Sequence, residues 1–214
     1  MMRYCTVLTR GLCAGVLLLL ISCATPVEEA PLPTEEEAAA LAAAEEALPP
    51  PIPDEVLLAH AQAIQALQEK DYAAAFARLD PLVEQYPLYP GLQLNRAIAQ
   101  FNLDAVDDAA ASFERILDTW PDHPVATTYL GVMKRREGNF AAAREWYERA
   151  LSADETYSFA HLNLGILCDL YLQDLACAHQ HYLRYEVLAG SVDKRFKGWK
   201  IDLERRMKKK GMLK

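Results

Sequence analysis

Glycine is scarce in this chain, nine of 214 residues, and none of the nine is set out as a phosphate-cradling loop. The Gly-x-x-x-x-Gly-Lys-Ser/Thr pattern is missing, and so are Gly-x-Ser-x-Gly and His-Glu-x-x-His. Nucleotide hydrolysis, serine-hydrolase chemistry and zinc-protease chemistry therefore have no motif to rest on. An excess of base is missing too. The formal net charge is −8, whereas a nucleic-acid-binding surface must neutralise phosphates with Lys and Arg. Nucleic acid is thereby excluded as the main partner. No apolar run reaches the roughly 20 residues that cross a bilayer comfortably. What is abundant is alanine, within a composition that is 52% hydrophobic. That mix suits closely packed helices, and the length suits one domain with attachments.

Charge is unevenly placed. Residues 1–22 carry two arginines, and residues 24–53 carry seven Glu and no base. Residues 54–190 hold ten Lys/Arg against twenty Asp/Glu, while residues 191–214 hold ten Lys/Arg against three acids. A basic tail follows an acidic body, the one electrostatic asymmetry that asks for a role.

The N-terminus reads as an address. Arg3 and Arg10 precede the short apolar run Gly11–Ile21, which suits the hydrophobic region of a signal peptide. The run ends in Leu20-Ile21-Ser22-Cys23, which resembles a bacterial lipobox. The resemblance implies cleavage after Ser22 and acylation of Cys23, and several acyl chains at one site anchor stably where one would be marginal. By the same family rules, Ala24 after the cysteine implies sorting to the outer membrane, facing the periplasm. Residues 23–53 then form a lipidated tether. Its prolines, Pro26, Pro31, Pro33, Pro49, Pro50, Pro51 and Pro53, resist compaction. Glu35 to Leu48 admits a short helix capped by Thr34.

Residues 54–190 repeat at a period of 34, with frames 56–89, 90–123, 124–157 and 158–190. The eighth position of the frame holds Ala63, Ala97, Gly131 and Gly165, and the twentieth holds Ala75, Ala109, Ala143 and, after a one-residue insertion, Ala178. The twenty-fourth holds Leu79, Phe113, Tyr147 and Tyr182. Small residues at two fixed places let paired helices approach closely, a large one fills the gap beside them, and Pro87, Pro121 or Gly190 ends the second helix. Pro81 inside the first frame predicts a second helix that kinks or starts late. The third frame, with Tyr129-Leu130-Gly131, Gly138-Asn139-Phe140-Ala141-Ala142-Ala143 and Trp146-Tyr147-Glu148-Arg149-Ala150-Leu151, strongly resembles the tetratricopeptide-repeat (TPR) family. With the lipobox, the chain resembles a TPR outer-membrane lipoprotein. The fourth frame departs from the pattern near Tyr171 to Asp174 and carries Tyr185 where a small residue is usual.

The resemblance implies an all-α fold: a right-handed TPR superhelical solenoid of four helix-turn-helix repeats plus a C-terminal capping helix, 191–214. Phe196, Trp199, Leu203 and Met207 draw the apolar stripe of that helix. Its other faces are basic, offering a soluble cap or a dock for an acidic partner, anionic lipid headgroups or an anionic cell-wall polymer.

First helices of such repeats line a concave groove. The candidate lining residues are Leu94, Asn95, Ile98, Phe101, Asn102, Val132, Arg135, Arg136, Asn163 and Ile166, with Leu57 to Leu67 contributing either to the groove or to internal packing. An apolar strip with a basic edge suits a peptide or helix carrying aliphatic anchors and an acidic flank. Asn95 and Asn163 either grip a bound backbone or cap local carbonyls. The carboxylate clamp of chaperone-tail binders is not matched by His60/Ile64 or Val125/Tyr129. Cys177, His179 and His181 lie close in sequence, but neighbours two apart on a helix do not share a face, which favours surface histidines over a metal site. No cofactor, small-molecule substrate or catalytic group is expected. After lipidation and cleavage, Cys168 and Cys177 remain, either as a disulfide or as two buried thiols.

The expectation is thus a non-enzymatic scaffold, anchored through Cys23, that gathers other envelope proteins. Chains with this layout serve pilus assembly, control of cell-wall enzymes or energy transduction across the envelope. The alternatives are a structural link from the basic tail to the cell wall or another anionic surface, or a metal-dependent cell-wall enzyme.

Overall fold

The computed structural model describes residues 52–213. The signal segment, Cys23, the tether up to residue 51 and the short helix expected over 35–48 lie outside the described residues.

Every regular element among the described residues is a helix. In chain order they are α1 (Asp54–Gln68), α2 (Tyr72–Gln85), α3 (Pro90–Asn102), α4 (Val106–Thr119), α5 (Pro124–Arg136), α6 (Phe140–Ala153), α7 (Ser158–Ile166), α8 (Leu175–Ala189) and α9 (Lys194–Lys209). No described helix is long and apolar enough to cross a membrane. Each helix packs on its neighbours in the chain, and first helices of successive pairs also touch, α1 against α3 and α5 against α7. This is the superhelical TPR arrangement, four pairs and a ninth helix.

Local chemistry repeats with the same period. Asp71, Asn139 and Asp174 each accept a hydrogen bond from the backbone N–H three residues on, at 3.0, 3.2 and 3.0 Å. They cap α2, α6 and α8 and satisfy donors that a helix start leaves open. The residue before each cap, Lys70 (φ 63°), Gly138 (φ 80°) or Gln173 (φ 54°), turns the chain through the left-handed region, as does Asp104 (φ 63°) at the uncapped turn before α4. Only Gly138 enters that region without a side-chain penalty.

The paired helices are held by a ring laid on a small residue. A Cβ added to Gly131 would lie 2.5 Å from the Tyr147 ring, and one added to Gly165 would lie 2.5 Å from the Tyr182 ring. Where the second helix carries Leu79 or Phe113, the first tolerates Ala63 or Ala97, and all four of these side chains are fully buried. The larger the ring, the smaller its seat.

Each of the three buried clusters spans a helix pair and reaches into the element next to it. One joins Val56, Ala63 and Leu79 to Leu92 and Ala99. The next joins Ala97, Phe113 and Ile116 to Leu130 and Met133. The third runs from Tyr147 through Leu164 and Tyr182 to Phe196, Leu203 and Met207 of α9. No pair closes its own core; its neighbour does.

Pro81 does not delay α2, which starts at Tyr72 and runs through Pro81 to Gln85. Pro81 and Ala77, whose carbonyl loses its donor, are both exposed, so the loss falls on the solvent side of the helix. The irregularity of the fourth repeat lies earlier than expected. The extra residue is absorbed by one π-helical turn, Leu167–Tyr171, closed by Leu172 N–H donating to the Leu167 carbonyl at 3.0 Å. Cys168 in that turn and Cys177 in α8 form a disulfide with a Cα–Cα separation of 5.9 Å.

The π turn also rotates Asp169 inward, where its carboxylate is buried and accepts from Arg206 of α9 and from the Tyr182 hydroxyl. Phe196 packs edge-on against both Tyr182 and Tyr185, which explains the large residue at 185: the last repeat meets α9 there, not another repeat. Trp199, expected on the buried stripe, is instead 39% exposed. The buried residues of α9 are Phe196, Leu203 and Met207, and the stripe is narrower than the sequence spacing indicates.

Gln173→Gly should stabilise the fold by about 0.5–1 kcal/mol, because glycine removes the left-handed penalty. Gly165→Ala should cost about 1–3 kcal/mol, because the methyl group and the Tyr182 ring cannot share the space. Denaturant melts of both variants check the pair; a neutral Gly165→Ala contradicts the seat-and-ring arrangement.

Candidate functional site on the first-helix face

The first helices α1, α3, α5 and α7 line one continuous face, the concave one in this arrangement. At its N-terminal end Leu57 and Ile64 are exposed. Between them and α3, the His60 ring lies against Gly91, where an added Cβ would meet it at 3.2 Å. Asn95 Nδ2 donates to His60 Nε2 at 2.8 Å. Burial lowers the His60 pKa, so the ring stays neutral and can accept.

The expected lining residues divide. Leu94, Ile98, Val132 and Ile166 are half-buried and pack against the cores, each leaving an apolar edge at the surface. Phe101, expected as an accessible anchor, is only 6% exposed. It is held edge-on by Tyr129, with ring centroids 5.2 Å apart, and roofed by the Arg136 guanidinium at 4.1 Å. The exposed element there is Arg136, with Phe101 as its floor. The asparagines serve local structure. Asn102 Nδ2 donates to the Ile98 carbonyl at 2.8 Å, Asn163 Nδ2 to the Phe159 carbonyl at 2.9 Å, and Asn95 is engaged by His60. Arg135 donates to the Tyr147 hydroxyl and to Asn163 Oδ1, both at 3.3 Å, and its guanidinium sits 5.7 Å from the Tyr171 ring. Arg135 thus ties α5 to α6, α7 and the π turn while keeping a charge near the face.

At the C-terminal end the face opens into a cavity of about 190 Å³ between the last repeat and α9. Ile166, Leu170, Tyr182 and Trp199 supply its apolar walls, and Asp169, Asp202 and Arg206 its polar edge. Leu170 is 61% exposed. Both Asp169 and Asp202 bind Arg206, so the charges are mutually engaged and the remaining space is apolar. A leucine or phenylalanine side chain fits such a space. Trp199 and the π turn were not expected to shape this end. The one-residue insertion in the fourth frame is the sequence signal that bears on it.

Cys177, His179 and His181 go to three different partners. Cys177 is in the disulfide, His179 Nε2 lies 3.6 Å from Glu204, and His181 Nδ1 lies 2.9 Å from His161 Nδ1. Among the described residues, no three His, Cys, Asp or Glu side chains are placed to hold a metal together. His161 Nε2 donates to the Glu155 carbonyl at 3.0 Å, so a neutral His161 accepts at Nδ1 from His181. This pair lines an open cavity of about 370 Å³ with Leu183, Arg184 and Val187.

Residues 60–124 and 106–158 match the sequence profile of the family described as "Tetratricopeptide repeat". The fold is similar to that of a thermophilic TPR protein of Thermus thermophilus, with a TM-score of 0.62 at 16% identity over 71% of this chain and 82% of that one. It is also similar to MamA from Desulfovibrio magneticus RS-1, with a TM-score of 0.55 at 18% identity over 74% of this chain and 88% of that one. A third likeness is to a chain of the Cut9–Hcn1 hetero-tetramer of the APC/C, with a TM-score of 0.62 at 15% identity over 72% of this chain and 30% of that one. At these identities the likeness is one of fold.

The histidine pair gives a pH signature. Burial lowers His161, and burial followed by the charges of His161 and Arg144 lowers His181 to about 4. An unfolded histidine titrates near 6.5. The stability from this pair is complete above that value and is lost as pH falls toward 4, because the unfolded chain takes up protons that the folded pair refuses. The melting temperature should fall over this window more steeply in the natural chain than in His181→Gln; parallel slopes contradict the pairing.

Proposed function

For a chain whose residues 60–158 carry tetratricopeptide repeats, we propose a scaffold that binds a segment of another envelope protein along its first-helix face. The observation that carries this is the C-terminal cavity opening beside the exposed Leu170 and Trp199. Upstream on the same face, Leu94, Ile98, Val132 and Ile166 offer apolar edges, and Arg136 stands exposed over Phe101. A partner segment of helical or extended form would seat one large apolar side chain in the cavity and turn an acidic flank toward Arg136. Binding energy in such an interface concentrates at the anchor, with the charge setting orientation.

The lipobox-like Leu20-Ile21-Ser22-Cys23 supports a second part of the proposal: acylation of Cys23 holds the scaffold at the periplasmic face of the outer membrane. The prolines and seven glutamates of residues 24–53 suit a spacer between anchor and repeats. Display from a membrane surface would favour the assembly of a multi-protein envelope complex, such as one for pilus assembly, cell-wall enzyme control or energy transduction.

Crosslinking in intact cells, followed by mass spectrometry of what is captured, tests the binding part. Leu170→Asp and Arg136→Glu should each reduce capture of the same partner at least tenfold while helical content is unchanged. Phe101→Asp is a poor probe, since it places a charge in the core. Undiminished capture by both variants contradicts the face. Separately, labelling of cells with a fatty acid should place acyl chains on the natural protein and none on Cys23→Ser; an unlabelled natural protein contradicts the anchor.

A further inference from the structure

The outward face of α9 has no role in the stack. Phe196, Leu203 and Met207 point inward and are buried. At helical spacing the opposite face carries Lys194, Lys197, Ile201, Arg205, Lys208 and Lys209, all exposed. The four lysines have no ion-pair or hydrogen-bond partner among the described residues. The acids of the helix are spent elsewhere: Asp202 faces Arg205 and Arg206, Glu204 lies near Lys200 and His179, and Asp193 caps the helix.

Three features of this face work against the helix itself. Lys194 and Lys197 lie in its first turn, where the helix dipole disfavours positive charge. Gly198 lies within the helix, yet a Cβ there would meet nothing within 4 Å, so no internal packing calls for glycine. Ile201 is 55% exposed in the middle of the lysines, and Met212, just past the helix, is 45% exposed. Solubility alone asks for none of these. An external surface approaching closely along Gly198 would account for all three.

We infer that the outward face of α9 binds the anionic phospholipid headgroups of a bilayer. The cations decide the class of partner. Four are lysines, point charges on flexible stems, and one is arginine; a structured carboxylate partner would favour the bidentate fork of arginine. Spaced lysines around an isolated aliphatic side chain match a fluid array of phosphates with hydrocarbon just beneath. The face is independent of Cys23, so it adds a second membrane contact to an acylated chain and acts alone in one without the anchor.

The test is co-sedimentation of the full chain bearing Cys23→Ser with vesicles of phosphatidylglycerol and phosphatidylethanolamine, and with vesicles of phosphatidylcholine alone. The expected result is salt-sensitive binding to the anionic vesicles only. Substituting Gln at Lys194, Lys197, Lys208 and Lys209 together should weaken it about a thousandfold, with the thermal melt little changed, because these side chains are unpaired and the dipole effects of the two at the helix start and the two at its end offset. Ile201→Ser should weaken it less. Equal binding to both kinds of vesicle, or anionic binding that survives the four substitutions, overturns the inference. So does sedimentation with purified cell wall or an acidic protein when the anionic vesicles are left unbound. Because the acyl site is absent from every sample, the outcome is separate from that of the anchor.

Discussion

The structure depends on how closely two helix backbones approach beneath an aromatic or aliphatic plug. In the third and fourth repeats the Tyr147 and Tyr182 rings lie where a single methyl group on Gly131 or Gly165 would stand. Those contacts bring first and second helices together at a fixed separation, and the buried clusters that reach into the next element follow from it. Interiors are packed densely enough that a methyl group matters. A pair that opened would shift its neighbour, since each core belongs to two repeats.

The same tyrosines connect packing to the candidate site. The Tyr147 hydroxyl holds Arg135, and the Tyr182 hydroxyl reaches Asp169, which in turn holds Arg206 of α9. Burial, together with the adjacent Asp169 carboxylate, pushes the Tyr182 phenol well above its ordinary range, so it remains a donor. The chain from Gly165 to Tyr182 to Asp169 to Arg206 therefore sets both the seat of the last repeat and the position of the helix that closes the cavity. Removing Arg206 would leave the buried Asp169 carboxylate without its cation, which costs more than the pair itself contributes.

Much of this was legible in the residues. The 34-residue spacing of Ala63, Ala97, Gly131 and Gly165 marks the helix pairs, and Phe196, Leu203 and Met207 mark the last helix. What was not legible is where a short-range pattern meets a long-range partner. Phe101 occupies a groove position by count, but Tyr129 and Arg136 enclose it. Asn95 and Asn163 have the chemistry to hold a bound backbone, yet nearby groups satisfy them first. Trp199 fits the apolar spacing of α9 but stands at the cavity rim, facing the same space as Leu170 of the π turn. Such a turn leaves only a one-residue change of period as its trace, and that trace does not say which residues it rotates inward.

The central claim is that the stacked first helices present one binding face. Hydrogen–deuterium exchange of the purified chain, with and without the partner recovered by crosslinking, tests it most directly. Slowed exchange should concentrate in α5, α7 and the Leu167–Tyr171 turn, with α4 and α6 unchanged. Protection confined to α2, α4 and α6 would place the partner on the opposite side and contradict the account.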